Sequence, residues 1–396
     1  MKCKITNKIL QPFMSFGKMP IANGFLKKKD FSNEFFFNME VGFNEDISLF
    51  QLNDHPKPEK MFNENYPFFT SSSEYMKNHF RDYANYVKNY VGEGSKIIEI
   101  GSNDGTFLSN FDNRKFKILG IEPSKNVADI ANNKQIPTLN KFFNKKIIDE
   151  LNDFLKKTDL ICASNVICHI PNLRELIETI DILLSDNGTF VFEEPYLGSM
   201  FEKVSYDQIY DEHIYMFSAS SVSKIFELYN FQLVDVMPQI THGGSMRYVI
   251  KRKGNKISPN VDKIIDNEIS KNLDKISSCL SFKNNCELSR NRLIEKINGY
   301  KNKGKSICGY AATSKSTTIL NYCGINSDHI DYICDTTAEK IGKFSPGMHI
   351  PIKDMNHFYK NQTDCAYLFA WNHKNEIFNK EKDFKGEWFS HVDIQK

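Results

Sequence analysis

From residue 96 onward, short apolar runs alternate with amphipathic stretches. The runs KIIEIG (96–101), KILGIEP (117–123), DLICASN (159–165) and TFVFEEP (189–195) read as strands, and the stretches around 124–133, 145–156 and 171–184 as helices between them. Such alternation predicts a parallel sheet with helices on both faces. Two further runs, FQLVDVM (231–237) and RYVIKRK (247–253), are joined by the turn-rich PQITHGGSM and predict an antiparallel pair at one edge. Upstream, EYMKNHFRDYANYVKNYV (74–91) places Tyr75, His79, Phe80, Tyr83, Val87 and Val91 at spacings of three and four, which marks one helix. Downstream, 261–303 is polar and helical and reads as a connector, after which KSICGYAA (305–312), DYICDTT (331–337) and CAYLFAW (365–371) outline a second, smaller α/β unit. Residues 1–65 are irregular and rich in Phe and Asn, with turn signals at PIANG and HPKP. The fold class is α/β, divided at 1–65, 66–254 and 255–396.

Composition narrows the function classes. The chain has 396 residues, 40% apolar and 25% charged, enough for two or three cores. A net charge of +2 with interspersed signs argues against a nucleic-acid surface. No run of about 18 apolar residues occurs, so no membrane span is expected, and MKCKITNKIL lacks the apolar core of a signal peptide. Nine scattered cysteines read as reduced thiols of a cytoplasmic protein.

The end of the first predicted strand reads Glu99-Ile100-Gly101-Ser102-Asn103-Asp104-Gly105. A glycine at a strand end lets the backbone turn and approach a ligand, at the carboxyl edge where open α/β sheets bind ligands. The next strand ends in Glu122-Pro123, an acid about 20 positions on that can accept from ribose hydroxyls. A dinucleotide loop wants G-x-G-x-x-G. Here the glycines are four apart with Asp104 between them, which repels an anion and suits the cationic methionyl end of S-adenosylmethionine (SAM). Glu99 points the same way. Asn165 closes a neighbouring strand and reaches toward the methionine portion or the substrate, and His169 follows it.

The stretch SYDQIYDEHIYMFS (205–218) holds Tyr206, Asp207, Tyr210, Asp211, Glu212, His213 and Tyr215. Taken alone it reads as a solvated loop. Following the strand that ends in Glu193-Glu194-Pro195-Tyr196, it reads as an active site over the ligand. Methylation at carbon needs a base, for which histidine suits neutral pH. A carboxylate can stabilise the charged ring, and tyrosines can bond an enolate oxygen.

With these residues in place, the chain resembles the bacterial sugar C-methyltransferases that act on nucleotide-linked 4-keto-deoxysugars. The resemblance runs through YPFFTSSS (66–73), EIGSNDGTFL (99–108), GIEPSKNVA (120–128), ASNVICHIPNL (163–173), EEPYL (193–197), YDQIYDEHIYMFS (206–218), THGGSMR (241–247), GYAATSKSTTILNYCGI (309–325) and FSPGMHIPI (344–352). It implies a zinc-binding N-terminal lobe, a central class I SAM-dependent (Rossmann-like) methyltransferase domain, and a C-terminal Rossmann-like α/β domain, with the sugar nucleotide in the cleft between them. It further implies His213 as the base at C3, supported by Tyr210 and Glu212, with His169 shaping the site and Tyr66 reaching the sugar. His242, Gly243, Gly244 and Arg247 would line the substrate cleft, Arg247 also contacting phosphate, and Lys315 is a further phosphate candidate. The product would enter a surface polysaccharide.

One departure stands out. The family's two C-x-x-C pairs fall on Cys3-Lys4-Ile5-Thr6 and Asn44-Glu45-Asp46-Ile47, so Thr6, Asn44 and Ile47 replace three of four thiolates. A structural zinc needs four ligands, so no zinc is expected, and Phe36, Phe37, Val41, Phe43, Leu49 and Phe50 are expected to hold the lobe together. Alternative readings are an O- or N-methyltransferase on a sugar nucleotide and a non-catalytic sugar-nucleotide-binding homologue. An NAD-dependent oxidoreductase is weakened by the missing G-x-G-x-x-G.

Overall fold

A computed structural model describes residues 1–64 and 66–394; the expected lobe boundary at 65 lies outside the described residues. The N-terminal lobe is an antiparallel sheet of β1 (Pro12–Pro20), β2 (Phe36–Asn44) and β3 (Leu49–Leu52). Phe37, Val41, Phe43, Leu49 and Phe50 are buried in it, whereas Phe36 is exposed, because pleating sends neighbouring side chains to opposite faces. The four positions aligned with the C-x-x-C pairs come together as a knuckle. Thr6 N–H donates to Cys3 Sγ (3.4 Å), Asn44 Nδ2 donates to Thr6 Oγ1 (3.0 Å), and Ile47 joins Cys3 in the apolar core.

A short helix α1 (Pro58–Met61) and a helix α2 (Glu74–Val87) lead into the central domain. Its parallel strands are β4 (Lys96–Ile100), β5 (Lys117–Ile121), β6 (Thr138–Leu139), β7 (Thr158–Ser164) and β8 (Leu184–Pro195). Helices α3 (Lys125–Asn133) and α4 (Leu173–Leu183) match their predicted positions. The helix expected over 145–156 is instead two 3-10 segments, Lys145–Glu150 and Asn152–Phe154. Ile147, Leu151 and Phe154 are buried as a helix would have them, but Asn152 and Asp153 favour turns over helix interiors. After α5 (Leu197–Lys203) the chain enters the 205–218 stretch, whose β9 (Tyr215–Met216) pairs with β3 and so completes the sheet of the N-terminal lobe. Then α6 (Ala219–Glu227) precedes β10 (Phe231–Gln239) and β11 (Ser245–Arg252), the predicted antiparallel pair at the edge beside β8. The sheet order is β10-β11-β8-β7-β4-β5-β6, an open α/β sheet of the Rossmann-like kind that the resemblance implies.

The connector is less solvated than its sequence suggests. In α7 (Pro259–Ser270), Glu268 is fully buried and accepts from Ala219 N–H, Ser220 N–H and Tyr196 Oη, capping α6. In α8 (Ile276–Asn302), Cys279, Phe282, Cys286, Leu293 and Ile297 share one apolar core with the N-terminal lobe and the C-terminal domain. That last domain is a parallel sheet of β12 (Ile307–Tyr310), β13 (Tyr332–Cys334), β14 (Ile352–Lys353), β15 (Cys365–Leu368) and β16 (Glu387–Phe389), with α9 (Ser314–Cys323) after β12. The sequence pattern did not reveal β14 and β16, which span only two and three residues. Among the described residues, no helix is long and apolar enough to cross a membrane.

Candidate active site

A cavity of about 650 Å³ opens at the carboxyl ends of β4, β5 and β7 and extends to the 205–218 stretch. At the end of β4, Gly101 has φ +67°, and a Cβ there would lie 2.6 Å from the Val166 side chain. Only glycine lets the chain turn so close to its neighbour. Ser102 and Asn103 follow along the cavity wall, and the Asn103 N–H donates to Glu122 Oε2 (3.0 Å). The other Glu122 oxygen accepts from Ser124 N–H (2.7 Å). Glu122, Pro123 and Asn165 also face the cavity.

Several polar atoms at this end are buried without a partner: Glu99 Oε2, Ser102 Oγ and Asn165 Oδ1. Such atoms cost free energy unless something bonds them, so their gathering along one wall suits a polar ligand. Burial, with the charges of Glu122 and Asp104 adding to it, pushes the Glu99 carboxyl well above the usual carboxylate range. A cation placed beside it would restore its charge, which fits the charged methionyl end of SAM.

Asp104 does not face that ligand. Its Oδ2 accepts from Ser71 N–H (3.0 Å) and its Oδ1 from Thr106 Oγ1 (2.6 Å), so its charge is committed within the protein. Gly105 lies behind the loop against Ile136 and is absent from the cavity wall. Asn103 and Asp104 instead fasten a strap. Asn103 Nδ2 donates to Phe68 O (3.1 Å), Thr70 N–H donates to Asn103 Oδ1 (3.0 Å), and Asn126 Nδ2 donates to Tyr66 O (2.9 Å). The strap brings Tyr66 to the cavity and stacks Phe62 on His169, with ring centroids 5.5 Å apart.

The 205–218 stretch is buried almost throughout, which overturns the solvated-loop reading. Tyr210, Glu212 and His213 face the cavity. His213 Nδ1 lies 2.7 Å from Gln208 O. A carbonyl only accepts, so the ring proton sits on Nδ1. Nε2 therefore offers its lone pair, which accepts from Tyr210 Oη at 2.8 Å. Burial, then the neighbouring His169, lowers the His213 pKa well below that of free histidine. His169 stacks on His213 at 5.4 Å, leaves Nε2 unbonded, and is pushed by burial down to about 3. Burial raises Glu212 to about 7, against a bond from Asn23 Nδ2 (2.7 Å) to Oε1. The remaining members of the stretch hold it in place: Asp211 accepts from Ala22 N–H (3.1 Å), and Tyr215 Oη donates to Pro171 O (2.6 Å).

Of the expected substrate set, His242 and Lys315 line the cavity. Burial first, and the charge of Lys315 next, lower His242 to about 3. Arg247 is elsewhere. Antiparallel register sets it opposite Glu193, whose Oε1 it meets at 2.5 and 2.6 Å, while the rings of Tyr83 and Tyr86 cover its guanidinium. It is 4% exposed, so no phosphate reaches it. Gly243 and Gly244 pack against Trp371 and Ser199 rather than lining the cavity. Sequence reasoning missed Asn23, which lies in the PIANG turn of the N-terminal lobe, and Lys340 of the C-terminal domain; both line the cavity. The PIANG signal marked a turn but not what its amide would meet.

Among the described residues, the donor atoms of Cys168, His169 and His213 lie within 4.8 Å of one another. They do not make a ready metal site. Burial and Glu194 keep the Cys168 thiol well above its ordinary pKa, and Tyr210 occupies the lone pair of His213.

Three family models match the chain in order: a putative zinc binding domain over 3–62, a methyltransferase domain over 73–236, and a C-methyltransferase C-terminal domain over 240–392. C-methyltransferase NovU of Streptomyces niveus is 28% identical over 376 residues, covering 94% of this chain and 89% of that protein. Similar solved structures include the PH0226 protein of Pyrococcus horikoshii OT3 (12% identity, TM-score 0.38, 50% of this chain and all 100% of that one). Another is magnesium protoporphyrin IX methyltransferase (ChlM) of Synechocystis PCC 6803 with bound SAH (13% identity, TM-score 0.35, 45% of this chain and 83% of that one). Zinc does not fit the matched lobe here: its knuckle offers one thiol, one hydroxyl, one amide and an isoleucine, and the polar three are already bonded to one another.

Proposed function

We propose that the chain is a SAM-dependent C-methyltransferase that methylates C3 of a nucleotide-linked 4-keto-deoxysugar, a reading that its family matches and its likeness to NovU support. The observation that carries this reading is the unprotonated Nε2 of a buried histidine facing the same cavity as the cofactor loop. Glu122, held by the N–H groups of Asn103 and Ser124, accepts from the ribose hydroxyls, and Glu99 faces the positive charge. SAM, when bound, supplies an electrophilic methyl group on sulfonium. As the sugar enters, Tyr210 turns its hydroxyl from His213 to the C4 carbonyl oxygen. His213 Nε2 then takes the C3 proton, and the electron pair of that C–H bond moves into an enolate that Tyr210 stabilises. With SAM bound, C3 would form its bond to the methyl carbon as the carbon–sulfur bond breaks and its electron pair stays on sulfur, and His213 would return its proton to solvent. Glu212 stabilises the imidazolium in between, and His169 and Tyr66 hold the sugar in line for the transfer. His242 and Lys315 face the nucleotide side, Lys315 toward phosphate. The reaction belongs in the cytoplasm, ahead of polysaccharide assembly.

The test is incubation with SAM and a panel of nucleotide-linked 4-keto-6-deoxysugars in deuterated water, read by mass spectrometry and NMR, with His213→Asn alongside. A methyl group on C3, and C3–H exchange that disappears in the variant, are the expected results. Methylation on oxygen or nitrogen would replace this reading with the alternative acceptor chemistry.

A further inference from the structure

Asp207 is a fully buried carboxylate that the proposed chemistry does not use and that does not line the cavity. Both its partners come from the C-terminal domain: Trp371 Nε1–H donates to Oδ2 at 2.7 Å, and His391 Nε2 lies 3.2 Å from Oδ1. The tautomer of His391 follows from its neighbours. Its backbone N–H donates to Tyr367 Oη (3.2 Å), and that hydroxyl lies 3.0 Å from Nδ1. The Asp207 carboxylate only accepts, so a ring proton sits on Nε2 facing it, and in the neutral ring Nδ1 then accepts the Tyr367 hydroxyl proton.

Trp371 is itself held on two more sides. Its ring fills a notch at Gly243, where φ is +83° and a Cβ would come within 2.2 Å of the indole. The Lys315 ammonium lies 5.0 Å from the ring centroid. Gly243 is thus explained by the indole it admits. On its other side Asp207 adjoins Gln208, whose carbonyl accepts the Nδ1 proton of His213. One residue further, Ile209 O accepts from Thr318 Oγ1 of α9 at 2.8 Å. The C-terminal domain therefore grips the turn at 206–209 from both ends.

We infer that Asp207 is a positioning residue, through which the C-terminal domain fixes the Gln208 carbonyl and with it the tautomer and direction of His213. This rests on His213 being the base, and the test separates the two ideas. The Asp207→Asn side chain keeps one acceptor oxygen for two N–H donors and no charge, so one donor loses its acceptor, both bonds lose their charge assistance, and the turn is freed to shift.

The full-length protein, labelled with nitrogen-15 in its histidines, is compared as wild type, Asp207→Asn, Trp371→Phe and His213→Asn. The His213 variant identifies the ring signal of that residue. The expected result is a single Nδ1–H tautomer for His213 in the wild type and a mixture in Asp207→Asn. C3–H exchange of the keto sugar, per folded molecule, falls about 100-fold in Asp207→Asn, the scale of a misplacement of about 1 Å. It falls about tenfold in Trp371→Phe, which loses one charge-assisted bond. SAM affinity by calorimetry stays within about twofold, because the cofactor loop is untouched. An unchanged tautomer signal in Asp207→Asn, with exchange per folded molecule intact, overturns the inference and leaves Asp207 a purely structural anchor. Full activity in His213→Asn overturns the base assignment instead, while a changed tautomer in Asp207→Asn would still uphold the positioning.

Discussion

The 205–218 stretch and the knuckle of the N-terminal lobe both gather polar side chains, the first buried and the second half-open to solvent, and they are finished in opposite ways. In the knuckle the groups satisfy one another: Asn44 donates to Thr6 and accepts from Asp46 N–H, and Thr6 N–H reaches Cys3. Along the cavity, atoms are left over, among them Glu99 Oε2, Asn165 Oδ1 and His169 Nε2. Each such atom costs about 1–3 kcal/mol while it lacks a partner, and a fold keeps a row of them only where something else completes the bonding. The knuckle has closed on itself in its hydrogen bonds, whereas the cavity wall stays open in its own.

The contrast can be broken most forcefully at His213. His213→Asn should lower kcat about 10³-fold, the scale of general-base catalysis, with SAM affinity by calorimetry unchanged. Next, Glu122→Gln should weaken SAM about 30-fold, since a carboxylate oxygen that accepts charge-assisted bonds is lost. If SAM binds equally well, Glu122 serves only the bonds from Asn103 and Ser124. A subtler probe is the acid limb of kcat/KM. Burial raises Glu212 to about 7, so its carboxylate is lost as pH falls through that value, whereas the lowered pKa of His213 leaves Nε2 unprotonated well below 6.5. The wild-type limb should therefore lie near 7, and in Glu212→Gln it should move below 6.5; a limb that stays put assigns it to another group. At the knuckle, Asn44→Ala should cost about 1 kcal/mol in a denaturant melt and leave kcat per folded molecule unchanged. Smallest of all, a zinc chelator should shift neither melting temperature nor activity, and a drop in either would reveal a metal in the lobe.

Much of the site was legible because it is local in sequence. Strand ends, the Gly101 turn, Glu122, Asn165, His169 and the Tyr210–His213 cluster each follow directly from a short pattern. What failed depends on contacts between distant segments. Arg247 looked free until β11 paired with β8 and set it against Glu193. Asp104 looked like a cofactor ligand until the strap brought Ser71 to it. Asn23 and Trp371 carry no local signal, since their meaning lies in Glu212 and Asp207, more than 160 residues away. The polar pattern of 261–303 concealed a buried stripe for the same reason: α8 packs on two domains whose approach no single segment announces.

Because β9 leaves the 205–218 stretch to finish the sheet that begins at Pro12, the three parts of this chain are not beads on a string. Recombination at the seams between them would strand an unpaired sheet edge in one fragment and an unsupported active-site segment in the other. The arrangement ties the parts into a single unit of inheritance, so that a lobe exchanged with a relative must bring compatible partners for Tyr215 and Met216 or lose its fourth strand.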